Sequence, residues 1–230
     1  MAWHKFRGLY GMVDLSPADA EPTAPGQPVL PMLERARTLA LALVRGGARI
    51  VQLRMKAASA AELMAAAAVV GPIAREAGRP FVVNDRVDVA LACDADAVHV
   101  GQDDLPLAAV RALIAKSGRK MLVGVSTHSL DQVRQAVAGG ADYLGFGPVF
   151  ATRSKDNPDP VVGVELLRKA CALAAPVPVV AIGGIDLEGV SACAGAGATC
   201  VAVIRFVNRA PDVEAAARAV SHAFAAGFLG

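Results

Sequence analysis

The fold is decided by residues 80–104, PFVVNDRVDVALACDADAVHVGQDD. Two short apolar runs, FVV and AVHV, flank a helical segment, and polar residues follow each run. Apolar runs without regular alternation are typical of parallel strands that helices cover on both faces. The stretch therefore predicts a strand–helix–strand unit whose two parallel strands end in polar residues.

The same unit recurs along the chain. Strands are predicted at Leu9–Val13, Arg49–Leu53, Pro80–Val83, Ala97–Val100, Met121–Val125, Tyr143–Phe146, Val177–Ile182 and Cys200–Ile204. Helices are predicted at Pro31–Arg45, Ala60–Ala77, Arg86–Cys93, Pro106–Ser117, Leu130–Ala138, Gly163–Ala174, Leu187–Ala194 and Asp212–Ala225. Eight alternating pairs predict an α/β protein, a single (β/α)8 TIM barrel over residues 1–230. The alternative is an open doubly wound sheet, but its usual GxGxxG motif is missing from the sequence.

Composition excludes several classes of protein. Of the 230 residues 54% are apolar, and 23 basic residues against 21 acidic ones give a net charge of +2. A basic nucleic-acid-binding face and a disordered chain are therefore not expected. No apolar run approaches the roughly 18 residues that span a membrane, and no signal peptide is recognised. Four widely spaced cysteines are expected to be reduced core thiols, and the cytoplasm is the expected compartment.

Two segments interrupt the rhythm of strands and helices. Residues 16–31 are rich in Pro and Ala and are predicted to form a flexible loop after the first strand. Residues 151–162, ATRSKDNPDPVV, are predicted to form a lid loop after the sixth strand. Both loops would lie at the carboxyl-terminal face of the barrel, where active sites of this fold are found.

Charged residues collect where the second, third and fourth strands end. By strand alternation Gln52, Arg54 and Lys56 share one side, and two cations there suit a diphosphate. The carboxylates of Asp85 and of Asp103-Asp104 can converge on one Mg²⁺. The alternatives are surface charge for the cations and helix caps for the carboxylates.

Residues after the later strands suit a second anion. Ser126 could donate to a phosphate oxygen, and the loop hydroxyls and Lys155 suit closure over phosphate. Turns at Gly183-Gly184 and Ile204-Arg205 would present backbone N–H groups to an anion. His99 is expected to be a packed, hydrogen-bonded histidine, and His128 to line the mouth of the barrel. Two anion pockets indicate a transferase that joins two phosphorylated fragments.

The blocks QLRMK, NDRVDVAL, VHVGQDDLP, GVSTHS, ADYLGFGPVF, the TxSK of ATRSK and VPVVAIGGI together resemble the thiamine phosphate synthase family. The resemblance covers roughly residues 8–210. It implies a barrel that couples a hydroxymethylpyrimidine diphosphate to a thiazole phosphate with Mg²⁺, releasing pyrophosphate. A carboxylated thiazole would also lose CO₂, and a homo-oligomer would be in keeping with the family.

The resemblance also assigns roles to residues. Gln52, Arg54, Lys56 and Asn84 would hold the pyrimidine diphosphate, and Asp85 and Asp104 would bind Mg²⁺. Ser126 and Lys155 would contact the diphosphate, and Arg54, Lys56 and Lys155 would stabilise it as it leaves. The thiazole phosphate would be held by Thr152, Ser154, Gly183, Gly184, Ile204 and Arg205.

The chain departs from the family pattern in four places. Ala151 replaces a usual Pro, Ser154 a usual Thr and Arg205 a usual Ser, and the segment 16–31 is longer than the family norm. Two alternatives stay open. One is a metal-free thiazole tautomerase using a histidine such as His128, and the other is a non-catalytic barrel that carries a phosphorylated ligand.

Overall fold

The fold is a closed barrel of eight parallel strands surrounded by helices. The computed structural model describes residues 6–16, 29–152 and 160–229. Neighbouring strands pair in chain order, and β8 pairs back onto β1. The strands are β1 Gly8–Asp14, β2 Ile50–Arg54, β3 Phe81–Asn84, β4 Ala97–Val100, β5 Leu122–Thr127, β6 Tyr143–Phe146, β7 Val179–Ile182 and β8 Cys200–Ala202. The predicted (β/α)8 barrel is confirmed.

Nine helices, rather than the predicted eight, lie in the described part of the chain. They are α1 Val29–Arg45, α2 Ala60–Glu76, α3 Val87–Ala92, α4 Leu107–Ser117, α5 Leu130–Ala138, α6 Gly163–Ala174, α7 Leu187–Gly195, α8 Arg205–Asn208 and α9 Val213–Leu229. The extra helix is α8. It forms because β8 ends at Ala202 and Ile204 turns at φ −89° and ψ −70°. The prediction that the eighth strand reaches Ile204 was therefore wrong.

Local signals in the sequence account for several helix ends. The Ser59 hydroxyl accepts a hydrogen bond from the Glu62 N–H, and the Glu62 carboxylate accepts one from the Ser59 N–H, which together form a capping box. Ser129 caps α5 by accepting from the Gln132 N–H. Gly118 ends α4 in the left-handed conformation at φ +70°, which glycine adopts without a steric penalty.

Other element bounds differ from the prediction. β1 extends to Asp14 and β5 to Thr127, whereas β7 begins only at Val179. Helix α1 begins at Val29, inside the predicted loop 16–31. Residues 17–28 and 153–159 of the two predicted loops lie outside the described residues. Within the described ranges, no helix has the length and apolar character needed to cross a membrane.

The barrel interior has its own small core, separate from the larger core between sheet and helices. Its buried members are Tyr10, Met12, Ile50, Val82, Ala97, Tyr143, Val180 and Cys200. Gly124 gives this interior its space, because a Cβ there would overlap the ring of Tyr143 and lie 2.5 Å from His99 Nδ1. A closely packed interior of this kind tolerates added atoms poorly.

We expect Gly124→Ala to lower the free energy of unfolding by about 1–3 kcal/mol, because the added methyl group overpacks the barrel interior. The matched control is Gly195→Ala, where the new Cβ would lie 3.6 Å from its nearest contact, the Gly227 carbonyl oxygen. The free energy of unfolding of the control variant should equal that of the wild type or exceed it by up to about 1 kcal/mol. Urea denaturation followed by circular dichroism measures both, and equal stability of the two variants would contradict the packing argument.

Candidate active site

A cavity of about 540 Å³ opens where the strands end. Strand ends from both halves of the sequence line it, together with the start of the loop after β6. The lining includes nine residues that the sequence analysis singled out: Gln52, Arg54, Asn84, Ser126, Thr152, Gly183, Gly184, Ile204 and Arg205. The closed barrel thus brings four candidate diphosphate residues and the described candidate monophosphate residues to one cavity, whereas Lys56, Asp85 and Asp104 are not part of its lining.

Arg54 is held in place by a carboxylate that sequence reasoning missed. Its Nη1 lies 2.6 Å from Asp14 Oδ2 and 2.9 Å from Ser16 Oγ. Asp14 is fully buried, and its Oδ1 also accepts a hydrogen bond from the Ser16 N–H. Asp14 is the last residue of β1 and lies two positions after Met12, which lines the cavity. Strand alternation therefore could have indicated that Asp14 faces the same side as Met12. Ser16, predicted to begin a flexible loop, is itself buried.

Lys56, Asp85 and Asp104 form a charged group at the rim. Lys56 Nζ lies 2.6 Å from Asp85 Oδ2. Burial raises the pKa of the Asp85 carboxyl, Lys56 lowers it, and the nearby charge and side-chain hydrogen bond of Asp104 raise it further. Asp104 Oδ2 in turn accepts a hydrogen bond of 2.7 Å from the Gly101 N–H. The Asp104 carboxylate therefore raises the cost of ionising Asp85, and a cation between the two would relieve that cost.

The helix-cap alternative for these carboxylates does not hold. The capping position of α3 is Arg86, and that of α4 is Pro106, and neither end has a side-chain cap. Asp85 instead adopts φ +63°, a conformation that few residues with side chains adopt. Its N–H donates to the His99 carbonyl oxygen at 2.8 Å.

The donor set fits Mg²⁺. This ion is usually bound through one or two carboxylates and completes its shell with water and substrate phosphate. Asp85 and Asp104 supply two neighbouring carboxylates. Among the described residues no group of three or more His, Cys, Asp or Glu side chains could hold a metal, so phosphate and water would supply the other ligands.

A chain of hydrogen bonds crosses the barrel interior and ends at Ser126. The hydroxyls of Tyr10 and Tyr143 lie 2.9 Å apart, and the Tyr143 hydroxyl lies 3.1 Å from His99 Nδ1. His99 Nε2 lies 2.9 Å from Ser126 Oγ. Burial lowers the pKa of His99 to about 4, so the imidazole is neutral at pH 7. His99 is thus the packed, hydrogen-bonded histidine that was expected, and both tyrosines were missed because they read as core residues.

Two further features shape the cavity lining, and one histidine discussed above lies outside it. Gln52 Nε2 donates to Asn84 Oδ1 at 2.6 Å, so these two amides orient each other. At Gly184, φ is +67° and a Cβ would overlap the carbonyl groups of Phe150 and Ala151, which only glycine avoids. His128 Nδ1 lies 2.6 Å from the carbonyl oxygen of Gly147, which follows the end of β6, and His128 is not among the residues that line this cavity.

Two of the expected site residues, Ser154 and Lys155, lie outside the described residues. Thr152, which precedes them, lines the cavity beside Gly183 and Gly184. Arg205 lies at the first position of α8 and is partly buried in the wall of the same cavity. Asp186 and Phe206 also line the cavity and were not anticipated.

Comparison with known proteins agrees with this geometry. A family model described as thiamine monophosphate synthase matches residues 29–207. The chain belongs to this family. It is 49% identical to the thiamine-phosphate synthase of Anaeromyxobacter dehalogenans, with 82% of each chain covered. It is 48% identical to that of Chloroflexus aurantiacus, with 79% of this chain and 82% of the relative covered.

A solved structure shows that the likeness extends to the three-dimensional fold. The thiamine phosphate pyrophosphorylase from Pyrococcus furiosus superposes with a TM-score of 0.80 at 31% identity, and 99% of each chain is covered. Membership of the family confirms the expectation of a transferase of thiamine biosynthesis.

The buried ion pair of Asp14 and Arg54 leads to a prediction about the free energy of unfolding. We expect Asp14→Ala to lower the free energy of unfolding by about 3–5 kcal/mol, because it leaves a largely buried guanidinium without its carboxylate. Asp88→Ala is the control, since it removes a carboxylate from the exposed Arg86–Asp88 pair and should cost less than about 1 kcal/mol. Urea titration of both variants measures the difference, and a similar small loss in each would show that Asp14 is not the anchor.

Proposed function

We propose that this chain makes thiamine phosphate by condensing 4-amino-2-methyl-5-(diphosphooxymethyl)pyrimidine with a thiazole phosphate, releasing pyrophosphate. Family membership supports the reaction. The observation that carries the proposal is the meeting of Arg54 and the charged rim group, Lys56, Asp85 and Asp104, at one end of the barrel. Cations beside paired carboxylates suit a diphosphate that arrives with a divalent metal ion.

The chemistry follows from where negative charge grows. The bond between the pyrimidine methylene carbon and its oxygen breaks, and the electron pair leaves with the diphosphate. Arg54 and Lys56 would stabilise that charge, and Arg54 is suited to this because Asp14 and Ser16 fix its guanidinium beforehand. Lys155 is proposed as a third cation and Ser126 as a hydroxyl donor to the same group. Bound Mg²⁺ would add positive charge at the departing phosphates.

The rest of the cavity suits a dissociative displacement. The carbocation left behind is stabilised by its electron-rich ring, and the thiazole nitrogen attacks it, so no strong base is required. The amides of Gln52 and Asn84 orient each other and would bind the pyrimidine diphosphate. A neutral His99 beneath Ser126 agrees with a site that holds groups in position rather than moving protons.

The thiazole phosphate is proposed to bind at the other side of the cavity. The turn of Gly183 and Gly184 lines the cavity together with Ile204 and Arg205, and its backbone N–H groups would be presented to the anion. Thr152 and Ser154 would add hydroxyl donors. The Arg205 guanidinium has no ion pair within the described ranges and would add a cation to the phosphate subsite. With the carboxylated thiazole the same step would also release CO₂.

The proposal includes a compartment. All four cysteines, each of them within the described residues, are free thiols. Burial raises the pKa of Cys171 to about 11 and those of Cys193 and Cys200 to about 12, which makes these thiols unreactive. Free buried thiols support the cytoplasm, where the environment is reducing. A homo-oligomer stays a prediction.

The reaction is tested by mixing the purified chain with both phosphorylated substrates and Mg²⁺. We expect thiamine phosphate and pyrophosphate in equal amounts, quantified by liquid chromatography and a coupled pyrophosphate assay. Omitting either substrate is the control. Substrate binding without product would favour the carrier alternative, and isomerisation of the carboxylated thiazole without Mg²⁺ would favour the tautomerase.

The metal assignment is tested with Asp85→Asn and Asp104→Asn. Each substitution removes a charged oxygen ligand, so we expect kcat to fall by about 10²–10³ and the dependence of rate on Mg²⁺ concentration to move to far higher metal. Asp103→Asn is the matched control, because this exposed neighbour has no part in the proposed site. Unchanged magnesium titrations in both variants would refute the assignment.

A further inference from the structure

A second cavity, of about 610 Å³, lies at the opposite end of the barrel, where β1 and β2 begin. Four arginines line it: Arg7, Arg45, Arg49 and Arg218. None of the described residues that line it is acidic. We call this the basic cavity. The whole chain carries a formal net charge of only +2, so four guanidinium groups around one cavity are a marked local concentration of positive charge.

Two of the four guanidinium groups are held in place. Arg7 stacks on the ring of Phe228, with the guanidinium carbon 4.4 Å from the ring centroid. Arg218 forms an ion pair with Glu214 one helical turn earlier in α9. Stacking and pairing limit the motion of these long side chains, so they lose less conformational entropy when a ligand binds to them.

The other two arginines have no counter-charge among the described residues. The side chains of Arg45 and Arg49 form no hydrogen bond or ion pair within the ranges that the structure describes. Arg49 also acts on a fifth arginine, because burial and then the charge of Arg49 lower the pKa of Arg79. The Nε atom of Arg79 is buried and has no hydrogen-bond partner in the described part of the chain. The positive charges of Arg49 and Arg79 therefore repel each other.

The backbone beside the basic cavity is closely packed against α9. At Gly47, where φ is +95°, a Cβ would lie 3.0 Å from Ser221 Oγ, and at Gly46 it would overlap Ala217. Ser221 Oγ donates to the Gly46 carbonyl oxygen at 2.9 Å, which ties the end of α1 to α9. The two elements that carry Arg45 and Arg218 are thereby fixed relative to each other.

We propose that the basic cavity is a second anion site, which binds a small phosphate-bearing ligand away from the active site. Guanidinium groups donate paired N–H bonds that match phosphate oxygens, and a di- or polyphosphate could engage several of them at once. A concave site lined by fixed and unpaired cations favours a small polyanion over an extended macromolecular surface. The proposal does not depend on the reaction proposed above.

Inorganic pyrophosphate is the probe, titrated by isothermal calorimetry in EDTA and low salt. The test variant is Arg45→Ala/Arg49→Ala, whose two side chains are exposed and unpaired, so the fold should be kept. The control is Arg37→Ala/Arg134→Ala, which removes the same charge from exposed positions outside the cavity. We expect the wild type and the control variant to bind pyrophosphate with the same affinities. In the test variant, the affinity of one binding event should fall by about tenfold or more. Lys56→Ala should leave that event unchanged, because it alters only the other end of the barrel.

Three results would overturn the proposal. The first is that the wild type does not bind pyrophosphate. The second is an equal loss of pyrophosphate affinity in the test and control variants, which would mean that binding depends on the overall charge of the protein and not on this cavity. The third is a test variant that binds pyrophosphate normally. If that variant also sediments as a smaller species than the wild type, the cavity is a contact between copies of the chain. Circular dichroism of each variant checks that the fold is retained.

Discussion

The pairing of the first strand with the last is the constraint on which the rest of the structure depends. β8 has only three residues, and all of them pair with β1, at Gly8, Leu9 and Tyr10. In an open sheet of the same strand order, β1 and β8 would be opposite edges. Closure brings the carboxyl end of β2, which carries Arg54, around one cavity with the turns after β7 and β8. A site of the proposed kind, for two phosphorylated substrates, would need both sets of residues near one reacting bond, and this short ladder brings them to one cavity.

Local features of the sequence were sufficient to predict the barrel and much of the cavity lining. Continuous apolar runs mark strands covered on both faces, and alternation places Gln52 and Arg54 on the same side of β2. The ends of strands were less predictable because neighbouring strands decide them. β5 continues through Ser126 and Thr127, since these residues pair with Gly145 and Phe146 and the Thr127 hydroxyl donates to the Gly145 carbonyl oxygen. β8 stops early because the chain turns into α8, which no local signal announced.

The partners of the site residues could not be predicted from local sequence. Tyr10 and Tyr143 are 133 positions apart, and their hydroxyls meet only because closure puts both inside the barrel. Asp14 faces Arg54 because the register of β1 against β2 sets them side by side. Gly124 and Gly145 could be read as strand glycines without a purpose, whereas the structure shows that His99 and Tyr143 fill the space above them. Register and closure are properties of the whole sheet, so a sequence motif can identify a site residue but not the partners that hold its side chain in place.

The charge balance at the rim explains why the proposed diphosphate would bind together with a metal ion. Asp85 is fixed there in a left-handed conformation that costs on the order of 1–3 kcal/mol. Its own N–H bonds to the His99 carbonyl oxygen and the Arg86 N–H bonds to the Asn84 carbonyl oxygen, and these bonds hold the turn. Lys56 neutralises one carboxylate of the pair with Asp104, which leaves one negative charge in excess in the rim group. A bare diphosphate would meet that charge and be repelled, whereas a diphosphate that carries a divalent cation would bring the positive charge that the two carboxylates lack. The same carboxylates that would weaken binding of the free anion would therefore favour its metal complex, which is the form whose departure the proposed reaction requires.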